Sequence, residues 1–273
     1  KKNFFSIICA TLGNDTKLIN LCNSLKNQNY KKFELIICDQ NRENFNKVIL
    51  KKFKNFKIKF FKTKIGLSKS RNFGIKKAKG NFLIFLDDDI ILRKNYLSKI
   101  NKNLNNLKCD IICYRVDNLN QGYLLNYPSV SRYILNDDEI FNHISSVSFV
   151  IKNNNLILFD ENLGLGSNYK FQSGEETDLI LRVKRKYNYT IYFLNSITIY
   201  HSESKKSFSS IIKKKYLYGC GWSRVVKKNK LSFLFKYKNI FKILLNFIFH
   251  IITLNFRKSC FSLANLLGRL NGI

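Results

Sequence analysis

The chain has 273 residues, 45% of them hydrophobic and 14% aromatic, so it can bury a large core and is neither disordered nor fibrous. Subtracting 18 acidic from 48 basic residues leaves a formal net charge of +30, which points to a polyanionic partner, either nucleic acid or an anionic membrane surface. Seven scattered cysteines with no C-x-x-C pair argue against a zinc ribbon or disulfide scaffold and for a reducing compartment.

In chain order, the run ending at Leu12 has no small-residue cleavage site and reads as a first strand, not a leader. Strands are predicted at 4–10, 33–38, 56–61 and 82–86, with helices at 18–27, 44–53 and 68–79 between them. Such alternation predicts an α/β fold, a mixed and mostly parallel central sheet with helices on both faces. Residues 117–145, which include the only proline, Pro128, read as a loop over a site, and 146–151 as a further strand. Near residue 207 the composition turns basic and aromatic, then strongly apolar, and a domain boundary is placed there: 1–206 as the main domain and 207–273 as a helical extension.

Chemistry concentrates where acids follow apolar strands. Asp87, Asp88 and Asp89 come directly after 82–86, and in an open parallel sheet that position is the rim of a ligand cleft. Three adjacent carboxylates repel one another unless a cation compensates, and hard oxygen ligands suit Mg2+ or Mn2+. The other reading is a solvated acidic turn. A second cluster, Gly174-Glu175-Glu176-Thr177-Asp178, follows Ser173, so Ser173 to Glu176 reads as a helix capping box, while functionally a carboxylate here can take a proton from a hydroxyl. Ser68 reads as a helix N-cap with Arg71 one turn in, within reach of a phosphate or an acid. Asp39 and His201 each end an apolar run, which places them at strand ends as turn residues or as ligands.

Taken in order, these segments resemble the family-two glycosyltransferases of GT-A (Rossmann-like) fold: Ala10-Thr11-Leu12-Gly13; Asp39-Gln40-Asn41; Gly66-Leu67-Ser68 with Arg71 and Asn72; Asp87 to Asp89; Phe159-Asp160-Glu161 with Gly164 and Gly166; Gly174 to Asp178 with Arg182; and His201. The resemblance implies that Ala10, Thr11, Leu12 and Asp39 hold the nucleotide base of a sugar donor, a UDP-sugar first. Asp87 and Asp88 then lie by the ribose and metal, Arg71 positions the diphosphate or an aspartate, and Asp89 and His201 bind Mn2+ or Mg2+. It also implies Glu176 as the catalytic base, with Asp178 as an understudy because Glu stands where Asp is commoner, and inversion at the anomeric carbon. Such enzymes commonly build surface polysaccharide, so a saccharide or lipid-linked saccharide acceptor is expected. Two rivals are a GT-A protein that binds sugar nucleotide without transfer and a basic nucleic-acid binder. Spread-out basic residues and the absence of a nucleic-acid motif speak against the second, so no nucleic acid is expected.

Within the extension, Lys242, Asn246 and His250 recur every fourth residue, a polar stripe opposite Ile243, Leu244, Phe247, Ile248 and Ile251. Too short and too striped to span a bilayer, the segment 240–256 reads as an interfacial helix, with Lys213 to Lys228 as cationic and aromatic anchors for anionic lipid. The expected location is the cytoplasm, peripheral at the inner face of the cytoplasmic membrane.

Overall fold

A computed structural model of the chain describes residues 2–13, 15–41, 53, 56–119, 122–154, 157–202 and 207–272, Asp15 by its backbone alone. Its elements run β1 (Phe5–Thr11), α1 (Asp15–Lys26), β2 (Phe33–Asp39), β3 (Lys57–Lys62), α2 (Leu67–Lys77), β4 (Phe82–Asp87), β5 (Ile90–Ile91), α3 (Tyr96–Leu107) and β6 (Ile111–Asn118). They continue with β7 (Gly122–Tyr123), β8 (Arg132–Tyr133), α4 (Asp137–His143), β9 (Phe149–Lys152), α5 (Glu175–Tyr187), β10 (Ile191–His201), α6 (Phe208–Lys228), α7 (Phe233–Ile252) and α8 (Phe256–Asn271). The predicted helix at 44–53 falls outside the described residues except for Phe53. Two compact units result: Lys1–Ile65, Lys69–Phe159 and Leu179–Glu203 form the first, and Gly66–Ser68, Asp160–Asp178 and Ser204–Ile273 the second.

In the first unit the sheet order is β3-β2-β1-β4-β9-β6-β10-β5, with β7 on β6 and β8 on β10. The long ladders, β1 with β2, β1 with β4, β2 with β3 and β6 with β10, are parallel, while β9 runs antiparallel between β4 and β6. β1 and β2 are buried along their whole length, which is why they read as continuous apolar runs. Lysine-rich β3 is an edge strand, where Lys57, Lys59 and Lys62 discourage pairing with another chain. One face of the sheet packs Ile7, Cys9, Leu35, Ile37, Ile84 and Leu86 against Leu18, Leu21 and Leu25 of α1 and Leu97, Ile100 and Leu104 of α3.

The segment 117–145, expected as a loop, is more structured than that. It holds two short strands and α4, whose N-terminus is a capping box: Asn136 accepts from Glu139 N, and Glu139 reaches back to Asn136 N. Local hydrogen bonding builds this helix in a polar segment whose apolar pattern gave no helical signal.

In the second unit, α6 and α8 pack backbone to backbone. A Cβ at Gly268 would lie 2.0 Å from the Tyr216 carbonyl oxygen, and one at Gly219 would lie 2.4 Å from that of Asn265. Trp222 of α6 ties the three helices together, its ring stacked on Phe235 of α7 and covered by the Arg269 guanidinium of α8 at 3.9 Å. The predicted apolar face of α7 needs correction: Ile243 and Phe247 are only half-buried, and His250, placed on the polar stripe, is half-buried beside them. The helix begins well before the predicted segment, and its exposed arc keeps Leu244, Ile248 and Ile251 of the predicted face while adding Leu234, Phe241, Leu245 and Ile252. None of the described helices is long and apolar enough to cross a membrane.

Candidate active site

Three parallel strands end together at one edge of the sheet. Thr11, ending β1, pairs in register with Asp39, ending β2, and Ala10 pairs with Asp87, ending β4. With β2 on one side of β1 and β4 on the other, the strand order reverses at β1, and ligands of open α/β sheets bind in the crevice outside such carboxyl ends. A cleft of about 550 Å3 lined by Asn3, Asn81, Phe82, Lys152 and Asn153 opens at the opposite, amino-terminal edge and contains no acid. Asp39, Asp87, Asp88 and Asp89 gather at the carboxyl edge instead.

There the three neighbouring aspartates have different partners. Asp88 accepts the Thr11 hydroxyl at 2.5 Å, and the same hydroxyl oxygen accepts Gly13 N. Asp89 Oδ2 pairs with Lys17 of α1 at 3.2 Å. His201 reaches the cluster because β5 pairs antiparallel with the end of β10, His201 opposite Ile90, which puts its Nε2 3.2 Å from Asp89 Oδ1. Burial, reinforced by Asp89 and Asp87, pushes the Asp88 carboxyl above its usual range. At Asp89 the same burial is outweighed by His201 and Lys17, which hold its carboxyl below that range.

Asp87, Asp89 and His201 each offer one ligand atom, and these atoms lie within 4.8 Å of one another. Asp89 Oδ1 is buried and makes no hydrogen bond of good geometry, close as His201 is. A divalent cation would satisfy that oxygen, and two carboxylates with one imidazole are a donor set that Mg2+ or Mn2+ accepts. The residues fit such an ion.

Two further predicted residues flank the cluster. Arg71 is completely buried, and its Nη2 lies 3.1 Å from Asp87 Oδ1, with Phe85 and Phe159 about its guanidinium. That aspartate is one of the two kinds of partner expected for it. Asp39 is buried as well, one oxygen accepting from Asn41 N and Nδ2 and the other paired with Lys62 at 3.1 Å. Ala10 is buried, whereas Leu12 projects into solvent.

Glu176 and Asp178 belong to the second unit. Glu176 is half-buried in the first turn of α5. Asp178 is fully buried, held by Lys228 at 2.9 Å and by Asn229 Nδ2 at 3.0 Å, and Lys228 also pairs with Asp160. Both predicted caps need correction. The helix starts at Glu175, after Gly174 at φ +84°, and the Ser173 hydroxyl instead donates to the Tyr218 carbonyl. Ser68 lies inside α2, its hydroxyl donating to the Leu163 carbonyl. In each case a nearby backbone carbonyl takes the hydroxyl that the local sequence assigned to a helix end.

Lys17, Lys62 and Asn229 escaped the sequence reading, and Lys228, expected there as a lipid anchor, instead pairs with Asp178 and Asp160. Lysine and arginine make up 48 of 273 residues, so no single lysine stands out as the partner of an acid.

Residues 6–169 match the family model described as Glycosyl transferase family 2. The chain belongs to that family. Among curated relatives it is 27% identical over 122 residues to the Staphylococcus aureus poly(ribitol-phosphate) beta-N-acetylglucosaminyltransferase TarS, a stretch covering 42% of this chain and 21% of TarS. It is 30% identical over 105 residues to the Campylobacter jejuni GalNAc(5)-diNAcBac-PP-undecaprenol beta-1,3-glucosyltransferase, covering 37% of this chain and 34% of that one. Each match thus spans about a third or less of the relative's length. Among solved structures, S. aureus TarS 1-349 in complex with UDP-GlcNAc superposes with a TM-score of 0.64 at 16% identity, covering 98% of this chain and 91% of that one. The Pyrobaculum calidifontis mannosyltransferase PcManGT in complex with GDP-Man and Mn2+ does so with a TM-score of 0.62 at 10% identity, covering 83% and 65%. Those likenesses establish the fold, a GT-A-like mixed sheet followed by C-terminal helices.

Proposed function

We propose that this protein is an inverting, metal-dependent glycosyltransferase that moves a sugar from a nucleoside diphosphate sugar, a UDP-sugar first, to a hydroxyl of a lipid-linked saccharide. The observation that carries the reading is the Asp87, Asp89 and His201 cluster at the carboxyl edge where the strand order reverses. The sugar nucleotides bound in the two neighbouring structures support the donor class, and the undecaprenol diphosphate in the name of the Campylobacter relative supports the acceptor.

In this reading Ala10, Thr11, Leu12 and Asp39 bind the base, and Asp87 and Asp88 face the ribose and diphosphate. Arg71, buried behind Asp87, is a positioning residue. Asp89 and His201 hold Mg2+ or Mn2+, which when bound neutralises charge on the leaving diphosphate. Glu176 accepts the proton of the acceptor hydroxyl as that oxygen bonds to the anomeric carbon, and the bond from that carbon to the diphosphate oxygen breaks. A single in-line displacement inverts the carbon. Asp178, locked by Lys228 and Asn229, anchors the start of α5. Residues 207–273 form an appended helical extension, and the enzyme works at the cytoplasmic face of the membrane where its acceptor is carried.

Thermal shift with UDP and common nucleotide sugars, with and without Mn2+ or Mg2+, tests the donor site. One nucleotide is expected to stabilise the protein only with metal, and Asp89→Ala to remove that effect. A folded sample that responds to no nucleotide refutes the reading, and metal-dependent binding without donor hydrolysis or transfer favours the non-catalytic rival.

A further inference from the structure

The extension carries a surface that neither the transfer chemistry nor the core accounts for. At about 100° per residue, Leu234, Phe241, Leu245, Ile248 and Ile252 of α7 fall within about 60° of one another. All five are exposed, Leu234 at 76% and Ile252 at 73%. Phe233, Tyr237, Leu244 and Ile251 widen the arc on one side, and Phe249 on the other. Leu254, in the turn to α8, and Phe256, at the start of α8, prolong it and are also exposed. Soluble proteins rarely leave so continuous an apolar patch in water without a partner.

Charge identifies the partner. Between Ser207 and Ile273 there are thirteen Lys and Arg and no Asp or Glu. Lys238 and Lys242 border the arc on α7, and Arg257 and Lys258 follow it at the start of α8. A second copy docked here would set positive against positive with no counter-charge from this segment. Nucleic acid would use the lysines and leave the aliphatic face wet. An anionic bilayer uses both, since the apolar arc enters the acyl boundary while the cations meet the headgroups.

We propose that the exposed arc of α7 and the turn after it is a docking surface by which the protein lies on an anionic lipid bilayer. This deepens the membrane part of the reading above and does not depend on the donor chemistry.

Co-sedimentation of the full chain with vesicles tests it. The protein is expected to pellet with vesicles of equal phosphatidylglycerol and phosphatidylcholine, to pellet much less with phosphatidylcholine alone, and to be partly released by salt. The triple variant Leu234→Gln, Phe241→Gln, Ile252→Gln should lose about tenfold or more in partitioning, because three large apolar side chains no longer enter the lipid. Its substituted side chains are exposed, so it should keep the parent's melting temperature and its metal-dependent stabilisation by nucleotide. Lys238→Glu with Lys242→Glu should weaken binding to anionic vesicles only. The proposal is overturned if the parent stays in the supernatant, if the triple variant pellets as the parent does, or if light scattering finds an oligomer that the triple variant dissolves. Loss of vesicle binding with nucleotide binding intact counts against this surface alone, and the converse against the donor site alone.

Discussion

At the residue scale, neighbouring carboxylates are separated in role by their partners. Asp87, Asp88 and Asp89 are adjacent in sequence, yet one faces a buried arginine, one a threonine hydroxyl, and one a lysine and an imidazole. In the α5 cluster both oxygens of Asp178 are held, by Lys228 and Asn229, while the proposed mechanism assigns the proton transfer to Glu176. Glu176→Gln is therefore expected to lower transfer by about two to four orders of magnitude, the usual worth of a positioned base. The metal-dependent thermal shift with nucleotide should survive. Retained full activity would remove Glu176 from the mechanism. The aspartate triplet was legible in the sequence because it interrupts an apolar run. Its lysine partner, Lys17, was not, because lysines occur everywhere in this chain.

Elements illustrate how far local pattern reaches. The ends of β1, β2, β3 and β4 lie within a residue of their predicted places, since buried strands are apolar runs bounded by polar residues. α3 was missed although Tyr96, Leu97, Ile100 and Leu104 line one buried face, because Asn and Lys fill the remaining positions and dilute the period. Ser173 and Ser68 were misplaced as caps because a hydroxyl takes whichever carbonyl the fold brings near. The α6 and α8 pair depends on glycines where backbones nearly touch. Gly268→Ala puts a methyl group against the Tyr216 carbonyl and should cost at least about 1–3 kcal/mol, the range for overpacking. A fall in melting temperature, with faster proteolysis in 207–272, would be the signature; an unchanged melting temperature would mean that the helices can shift apart freely.

At the scale of the whole molecule, stability should depend on acid. Glu34 is buried in β2, and although burial alone raises its carboxyl, Lys59, Ser6 and Lys79 N hold it below the usual 4.5. A carboxyl depressed in the folded state stabilises above its unfolded value, and that contribution disappears as pH falls through the lower folded value. Asp89, Asp160 and Glu139 are shifted the same way, whereas Asp88 is shifted upward and acts in the opposite sense. Glu34→Gln is thus expected to lower the urea midpoint at pH 7. The gap should narrow as pH falls below 4.5 and close once pH is under the lower folded value, and a gap independent of pH would assign the effect to packing instead.

The apolar runs, the acids that end them and the uniform excess of lysine are local properties, and by themselves they determined the α/β class and the family, and marked the acids at the strand ends. Which strands become neighbours is a nonlocal choice, and only the tertiary structure decided it. Pairing β1 between β2 and β4 brings Asp39 and Asp87 to one edge, and pairing β5 with β10 brings His201 to Asp89 across more than a hundred residues of chain. The side of α7 that remains in solvent was decided there as well. A helical period defines a face, but the packing of the neighbouring helices determines whether that face is covered.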